Sequence, residues 1–438
     1  MARGKKAVQG LTPEEKLAQV LVPAEEQPYQ IPDNWCWIHL PEAFTNHTDS
    51  KKKIQSKAYL SEGKYSVVDQ GQELIGGYTD DKDMLYSGKL PVIIFGDHTR
   101  CVKLIDFPFV QGADGVKVLR PKDFYDINAF YYSLRAINIP NLGYRRHFPL
   151  FSQFAIPLPP LNEQQRIVDR IERIFAKMDE AKEKAQAVVD GFELRKSAIL
   201  HKAFTGELTE KWREEHGVTL DSWEKETSTQ LFSYVTSGSR GWAQYYSDSG
   251  SVFIRMGNLD HGTVELDMED IQYVNLPSKA EGQRSKLQKN DILISITADI
   301  GMIGLVRNAD QDMYINQHIA LARPTEENSA EFIAWYLVSD VGLKQMQSKQ
   351  RGATKIGLGL DDIRNLKLLM PQVNEQAEIV RVLDSLLAKE NAAKEAAESV
   401  LDQIDTMKKA VLARAFRGEL GTNDPEEESA VELLKTML

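Results

Sequence analysis

One segment of this chain occurs twice, and no other feature constrains the fold as strongly. Residues 162–208 align with residues 374–420 at a single offset of 212, without a gap, and 21 of the 47 aligned positions are identical. Asn162-Glu163-Gln164 returns as Asn374-Glu375-Gln376, and Ala203-Phe204 with Gly206-Glu207-Leu208 as Ala415-Phe416 with Gly418-Glu419-Leu420. A period this long is a duplicated module and not a solenoid repeat. Inside it, apolar residues recur every seven positions. One series is Ile171, Met178, Ala185, Phe192 and Ile199, answered in the second copy by Leu383, Ala397, Ile404 and Val411. A second series runs Ile167, Ile174, Ala181 and Val188, then Ile379, Leu386, Ala393, Val400 and Met407. Such a stripe marks a helix that buries one seam against another helix. Arg195 and Glu390 interrupt it, one in each copy.

Pro159-Pro160 precede Asn162, an N-cap residue type, and Gly206 and Gly418 mark the stops. From Asn162 to Phe204 an unbroken helix measures on the order of 60 Å at 1.5 Å per residue. Two such helices in one chain, each following a globular segment, can pair antiparallel about a pseudo-twofold axis. The expected pairing residues are Ile171, Phe192 and Ile199 against Leu383, Ile404 and Val411. Two unrelated surface helices, or a coiled-coil homodimer, are the alternatives.

The globular segments, 35–161 and 209–373, are not obvious copies. Both open with a tryptophan after a turn (Trp35, Trp223) and both close with an alternating strand that runs into proline, at 154–159 and 366–371. Between these ends lie short β-branched runs, Leu90–Phe95 and Asp291–Ile296, and one helical stretch each, near 125–137 and 329–347. The reading is α+β: two small globular α+β domains joined by two long duplicated helices. A shared fold with different middles fits modules that recognise different things. The chain then divides as 1–34 (extension), 35–161, 162–208, 209–373, 374–420 and 421–438 (acidic tail).

Charge argues for local, not global, polyanion binding. The whole chain carries -11, yet residues 35–161 hold 15 basic against 13 acidic residues, while 209–373 hold 17 against 23. A nucleic-acid protein needs a basic face, not a basic total. Two cysteines, Cys36 and Cys101, make neither a disulfide framework nor a four-cysteine zinc site, which fits a reduced, cytoplasmic protein. No stretch of eighteen apolar residues and no secretory signal is present. Gly357-Leu-Gly359 lacks the third glycine of a dinucleotide loop. A phosphate-binding Gly-Lys-Ser/Thr loop and the Asn/Asp-Pro-Pro-aromatic motif of adenine methyltransferases are both missing from the sequence. His98 follows Asp97 without a second histidine at ligand spacing, so a satisfied loop histidine is the simpler reading.

The candidate contact residues sit in glycine-punctuated loops. In the first domain they are Tyr78, His98, Arg100, Tyr144, Arg145 and Arg146. In the second they are Ser239, Arg240, Trp242, Tyr245, Asn316, Gln317, Arg351 and Lys355. Arginine can grip guanine bidentately, and Asn or Gln can grip adenine. Each loop could equally be turn chemistry with solvated charges, and a tryptophan is more often half-buried packing.

Taken together, the chain resembles the specificity subunit of type I restriction-modification systems. The resemblance rests on Pro-Leu-Asn-Glu-Gln-Gln-Arg-Ile-Val and Pro-Gln-Val-Asn-Glu-Gln-Ala-Glu-Ile-Val at the helix starts and on the repeated Ala-Phe-x-Gly-Glu-Leu ends. Gly76-Gly77-Tyr78-Thr-Asp-Asp, Gly96–Arg100 and Gly112-Ala-Asp-Gly115 add to it. The family implies two target recognition domains, each reading half of a bipartite site in double-stranded DNA, and paired helices that fix the unread gap. It implies two methyltransferase subunits that bring S-adenosylmethionine and two restriction/translocase subunits that use ATP and Mg. The chain itself would carry no catalytic residue, metal or cofactor. The extension and the acidic tail would complete a pseudo-symmetric ring. A scaffold without a DNA role and a stand-alone modification enzyme are the competing classes.

Overall fold

A computed structural model of the chain describes residues 12–277, 283–325, 329–350 and 357–437. Its helices are α1 (Pro13–Val20), α2 (Ile127–Ala136), α3 (Leu161–Asp190), α4 (Phe192–Phe204), α5 (Glu210–His216), α6 (Ser228–Leu231), α7 (Ala330–Val338), α8 (Asp340–Ser348), α9 (Leu360–Arg364), α10 (Val373–Ala415) and α11 (Ala430–Met437). The chain divides into two compact units, one of Met1–Ala185 with Ser399–Leu438 and the other of Gln186–Glu398. The division falls within α3 and within α10, so each unit holds one part of both repeats.

In the first unit the strands are β1 (Cys36–His39), β2 (Phe44–Asn46), β3 (Lys53–Ile54), β4 (Tyr65–Val68), β5 (Gly77–Thr79), β6 (Val92–Gly96), β7 (Val102–Ile105), β8 (Phe109–Gly112), β9 (Val116–Pro121) and β10 (Ala155–Leu158). They form a four-stranded sheet β2-β9-β6-β7, a second sheet β3-β8-β4-β5, and a ribbon β1-β10. The central strand β6 is apolar on both faces because both are covered. Val92 and Ile94 join Val68, Ile105, Phe109 and Val118 in a core between the two sheets. Ile93 and Phe95 point the other way, to Ala129, Phe130 and Leu134 of α2.

The second unit repeats this plan. Its strands are β11 (Glu224–Thr227), β12 (Phe232–Ser237), β13 (Tyr246–Ser247), β14 (Ser251–Ile254), β15 (Gln272–Val274), β16 (Ile292–Ser295), β17 (Ile303–Leu305), β18 (Met313–Ile315), β19 (Ile319–Pro324) and β20 (Lys367–Met370). The sheet β12-β19-β16-β17 matches β2-β9-β6-β7, and β11-β20 matches β1-β10. In the remaining sheets, β14 lies parallel to β18 and antiparallel to β15, as β4 does to β8 and β5. Ile292 and Ile294 face α7 with Phe332 and Ile333, while Leu293 faces the other core. The shared fold that the similar ends suggested is therefore present in these strand orders, although β3 pairs with β8 while β13 pairs with β15, and the sequences between those ends differ. Antiparallel pairing of the first and last strands brings the entry and exit of each domain side by side.

The repeated helices meet within each unit. In the first, Ile167, Ile171 and Phe175 of α3 pack with Leu412, Ala415 and Phe416 at the other end of the repeat, with Trp35 beside them. Thr422 Oγ1 donates to Glu163 while Lys408 pairs with Asp179, so residue numbers rise along one segment as they fall along the other, which is antiparallel pairing. In the second unit, Leu200, Ala203 and Phe204 of α4 share a core with Ile379, Val380, Leu383 and Leu387 of α10. The two interruptions of the stripe answer each other there: Arg195 Nε donates to Glu390 Oε2 at 2.6 Å. Burial does not divide the two heptad series cleanly, since Ile167 and Ile379 of the second are fully buried. Ile171, Leu383, Phe192 and Ile404 are buried and Ile199 and Val411 half-buried, whereas Val400 and Met407 are exposed.

Three expectations need correction. The first copy is not one helix, because α3 ends at Asp190 and α4 begins after Gly191. Glycine is a poor helix former, and the Val188 carbonyl at the break is taken by Arg195 Nη2 at 2.8 Å. The helix near 329–347 is likewise two, since Ser339 closes α7 and its side chain caps α8. The helices also start earlier than Asn162 and Asn374, at Leu161 and Val373, so those asparagines lie inside the first turn and are not N-caps.

What the Asn-Glu-Gln motif does is tie helix to domain. Glu163, Gln164, Glu375 and Gln376 are all buried. Gln164 Nε2 donates to the carbonyls of Phe124 and Pro159, and its Oε1 accepts from Asp126 N, the N-cap of α2. Gln376 repeats this with Pro371 O and with Ser329 N, the N-cap of α7. Glu375 accepts from Thr209 Oγ1 (2.8 Å), Arg213 Nη1 (2.7 Å) and Trp223 Nε1 (2.9 Å). Its counterpart Glu163 accepts from Thr422 Oγ1 (2.7 Å) and Arg166 Nη2 (2.6 Å). Arg166 also clasps Glu427 through both carboxylate oxygens and holds that carboxyl below the usual range. The acidic tail is thereby folded into the first unit, where Ala430 and Leu434 of α11 join Val20 of α1 in the core.

Candidate nucleic-acid interface

In the first unit the projecting element is the loop 141–146. Its base is fixed by His147, a buried residue. Leu142 N donates to His147 Nε2 at 3.2 Å, so Nε2 accepts and Nδ1 carries the proton that goes to the Asp97 carbonyl at 2.9 Å. Asp97 Oδ1 accepts from Phe148 N at 2.7 Å. Asp97 is therefore a structural anchor and not half of a metal site. Among the described residues no group of three or more His, Cys, Asp and Glu is placed to hold a metal. From this base Tyr144 stands out, 87 % exposed, and lays its ring on His98 with centroids 4.7 Å apart and planes 11° off parallel. Arg145 and Arg146 are exposed beside it. A stacked aromatic pair with two free-standing arginines can meet both the faces and the edges of bases. Arg100 lies in the same β6–β7 loop as His98, with φ 63° and Nη1 on the Ile139 carbonyl at 2.9 Å. Tyr78 is half-buried in β5.

In the second unit the loop after β12 carries Arg240, which is exposed. Gly238 lets that loop lie on the end of β18, since a Cβ there would stand 2.1 Å from the Ile315 carbonyl oxygen. Ser239 is buried and bridges to Asn316. Asn316 and Gln317 are half-buried, and both engage His318: Asn316 Oδ1 accepts from His318 N, and Gln317 Nε2 lies 2.7 Å from His318 Nε2. Tyr245 is half-buried and packs with the loop's small core.

Trp242, also a candidate in this loop, is a buried side chain. It is 5 % exposed, stacked on Phe253 and edge-on to Tyr314, each at 5.4 Å. An indole among two rings is held by burial, so it supports the loop that presents Arg240. Arg351 and Lys355 lie outside the described residues. Sequence reasoning missed the roles of Glu163, Gln164, Glu375 and Gln376, although their identity at the 212 offset was the available signal.

Comparison with known proteins decides the family. Residues 32–189 and 244–401 match the family described as type I restriction modification DNA specificity domain. The chain belongs to that family. This specificity subunit is 28% identical over 403 residues to the type I restriction enzyme EcoBI specificity subunit of Escherichia coli, covering 86% of this chain and 81% of that one. It is 29% identical over 280 residues to the EcoKI specificity subunit of Escherichia coli K12, covering 62% and 58%. Its fold is like that of the HsdS subunit from Thermoanaerobacter tengcongensis, with TM-score 0.61 and 18% identity over 90% of this chain and 99% of that one. The chain is thus a DNA-recognition subunit of a type I restriction-modification system and is not itself an enzyme. Such a subunit acts on DNA with methyltransferase and restriction subunits and without a catalytic cofactor of its own. Among the described residues no helix is long and apolar enough to cross a membrane.

Proposed function

We propose that this specificity subunit reads a bipartite site in double-stranded DNA, one half with residues 35–161 and the other with residues 209–373. The repeats 162–208 and 374–420 set the unread gap and dock two methyltransferase subunits, and two restriction subunits join them in the cytoplasm. S-adenosylmethionine, ATP and Mg then belong to those partners. The observation that carries this reading is that the order of the sheet β2-β9-β6-β7 recurs in β12-β19-β16-β17, with different loops. A common scaffold supplies position, and the loops supply base choice. Tyr144, Arg145, Arg146 and His98 are assigned to the first half-site, with Arg100 and Tyr78 behind them. Arg240 leads the second, with Ser239, Tyr245, Asn316 and Gln317 shaping its loop and Arg351 and Lys355 as further contacts.

Arg240→Ala tests this assignment in the assembled methyltransferase complex. Loss of a bidentate base contact is expected to cost about 1–3 kcal/mol and to relax one position of the second half-site only. Competition binding with duplexes varied at each position measures it. A scaffold without a DNA role would discriminate among duplexes neither with arginine nor with alanine at this position.

A further inference from the structure

The first unit contains a cleft of about 800 Å³ between α2, the β6–β7 loop and the last turns of α10. Its charged lining is Arg100, Arg135, Lys408 and Lys409 against one carboxylate, Asp405. Lys408 is paired with Asp179 and lies over the Phe175 ring. Arg100 and Arg135 bind only neutral oxygens, the Ile139 carbonyl and the Tyr131 hydroxyl. Among the described residues no ion pair includes Arg100, Arg135 or Lys409. Arg100, Arg135 and Lys409 outnumber the one carboxylate of this open cleft, Asp405, in a chain that carries -11, so the cleft holds an excess of positive charge. The cleft is also continuous with the candidate reading loop, because Thr99, Arg100 and Cys101 line it and His98 precedes them.

We infer that this cleft holds the phosphodiester backbone of DNA next to the first half-site, positioning the duplex without reading it. The inference rests on the DNA-recognition reading and deepens it. It separates two roles in one loop: His98 with Tyr144 faces bases, and Arg100 with Arg135 and Lys409 faces phosphates. Guanidinium and ammonium groups spaced along a cleft suit a row of phosphates. The first recognition segment contributes Arg100 and Arg135 to this site, and the second repeat contributes Lys408 and Lys409. By the 212 offset Lys408 corresponds to Lys196 and Lys409 to Ser197, so the first copy of the repeat keeps one of these two cations.

Salt-dependent binding tests it in the complex of the full chain with its methyltransferase subunits. Arg135→Ala and Lys409→Ala each remove one phosphate contact. Each is expected to flatten the slope of log K against log salt by about one, for a duplex bearing the site and for one lacking it alike. The preference between the two duplexes is expected to stay the same. Cys101 gives a second readout on the native chain, because it lines the cleft half-buried while Cys36, the other cysteine, is buried. Adding duplex to the complex is expected to slow alkylation of Cys101 at least several-fold. Unchanged slopes with an unchanged alkylation rate, in a complex whose wild type binds DNA specifically, would overturn the clamp alone. Variants that lose methyltransferase subunits while the slope holds would overturn it too, by making the cleft a protein contact. A wild-type complex that shows no specific binding would instead remove the recognition reading beneath it.

Discussion

Glu375→Ala is expected to cost about 3–5 kcal/mol of stability, a large share of what a domain has. The carboxylate is fully buried and satisfies three donors at once: Thr209 Oγ1, Arg213 Nη1 and Trp223 Nε1. Removing it leaves the Arg213 guanidinium, itself buried, without its counter-ion, and strands an indole N–H. Arg213 Nη2 still donates to the Gly206 carbonyl, so part of the network survives but its charge is uncompensated. Glu375→Gln keeps the size and one acceptor and is expected to lose less. The loss should be confined to the unit Gln186–Glu398. Urea unfolding, followed by hydrogen exchange to locate the change, measures both points. A loss below about 1 kcal/mol would mean that the cluster is solvated and that the motif is not a clamp.

Lengthening the repeated helices by one heptad is expected to change the DNA site in spacing and in nothing else. The seam is what allows this. Ile171, Phe175 and Leu412 bury one stripe in the first unit, and Leu200, Leu383 and Leu387 bury its counterpart in the second. Seven residues return the stripe to the same side of the helix. Because each unit uses a part of both repeats, the heptad has to enter α3 and α10 together. The insertion adds roughly 10 Å at 1.5 Å per residue, about three base pairs at 3.4 Å each. Both half-sequences are expected to persist, with the gap about three pairs longer. Two inserted residues, about 200° of rotation at about 100° each, would turn the stripe away from its partner and abolish specific methylation. A tolerated heptad with an unchanged gap would make the helices a docking surface and not a ruler.

Much of this organisation was legible in the sequence because periodicity reports on packing directly. The 212 offset found both helices, and Ile171, Leu383, Phe192 and Ile404 are buried where the stripe placed them. Periodicity could not say which positions of the two heptad series face the partner: in the second series Ile167 and Ile379 are buried, whereas Val400 and Met407 are exposed. Nor could it foresee that Arg195 and Glu390, each a flaw in its own copy, are partners. The break at Gly191 was visible as a glycine but not as a break, since an isolated glycine is tolerated in many helices. In the loops, residue type was a weaker guide. Trp242 has the chemistry of a contact residue and the burial of a core one, and only the positions of Phe253 and Tyr314 decide between them. Arg135 and Lys409 belong to no motif of the sequence, and the cleft that gathers them exists only once α2 and α10 are packed.

Exchanging one recognition segment and mapping the methylated bases at base resolution tests the central claim most directly. β1 pairs with β10, so residues 35–161 begin and end side by side and can be replaced as a block by the corresponding segment of another specificity subunit. The complex carrying the exchanged chain is expected to methylate a hybrid site. Its first half should change to the donor's, while the second half and the gap stay as in the parent. If both halves change together, or neither does, the chain does not read DNA as two independent modules on a common ruler.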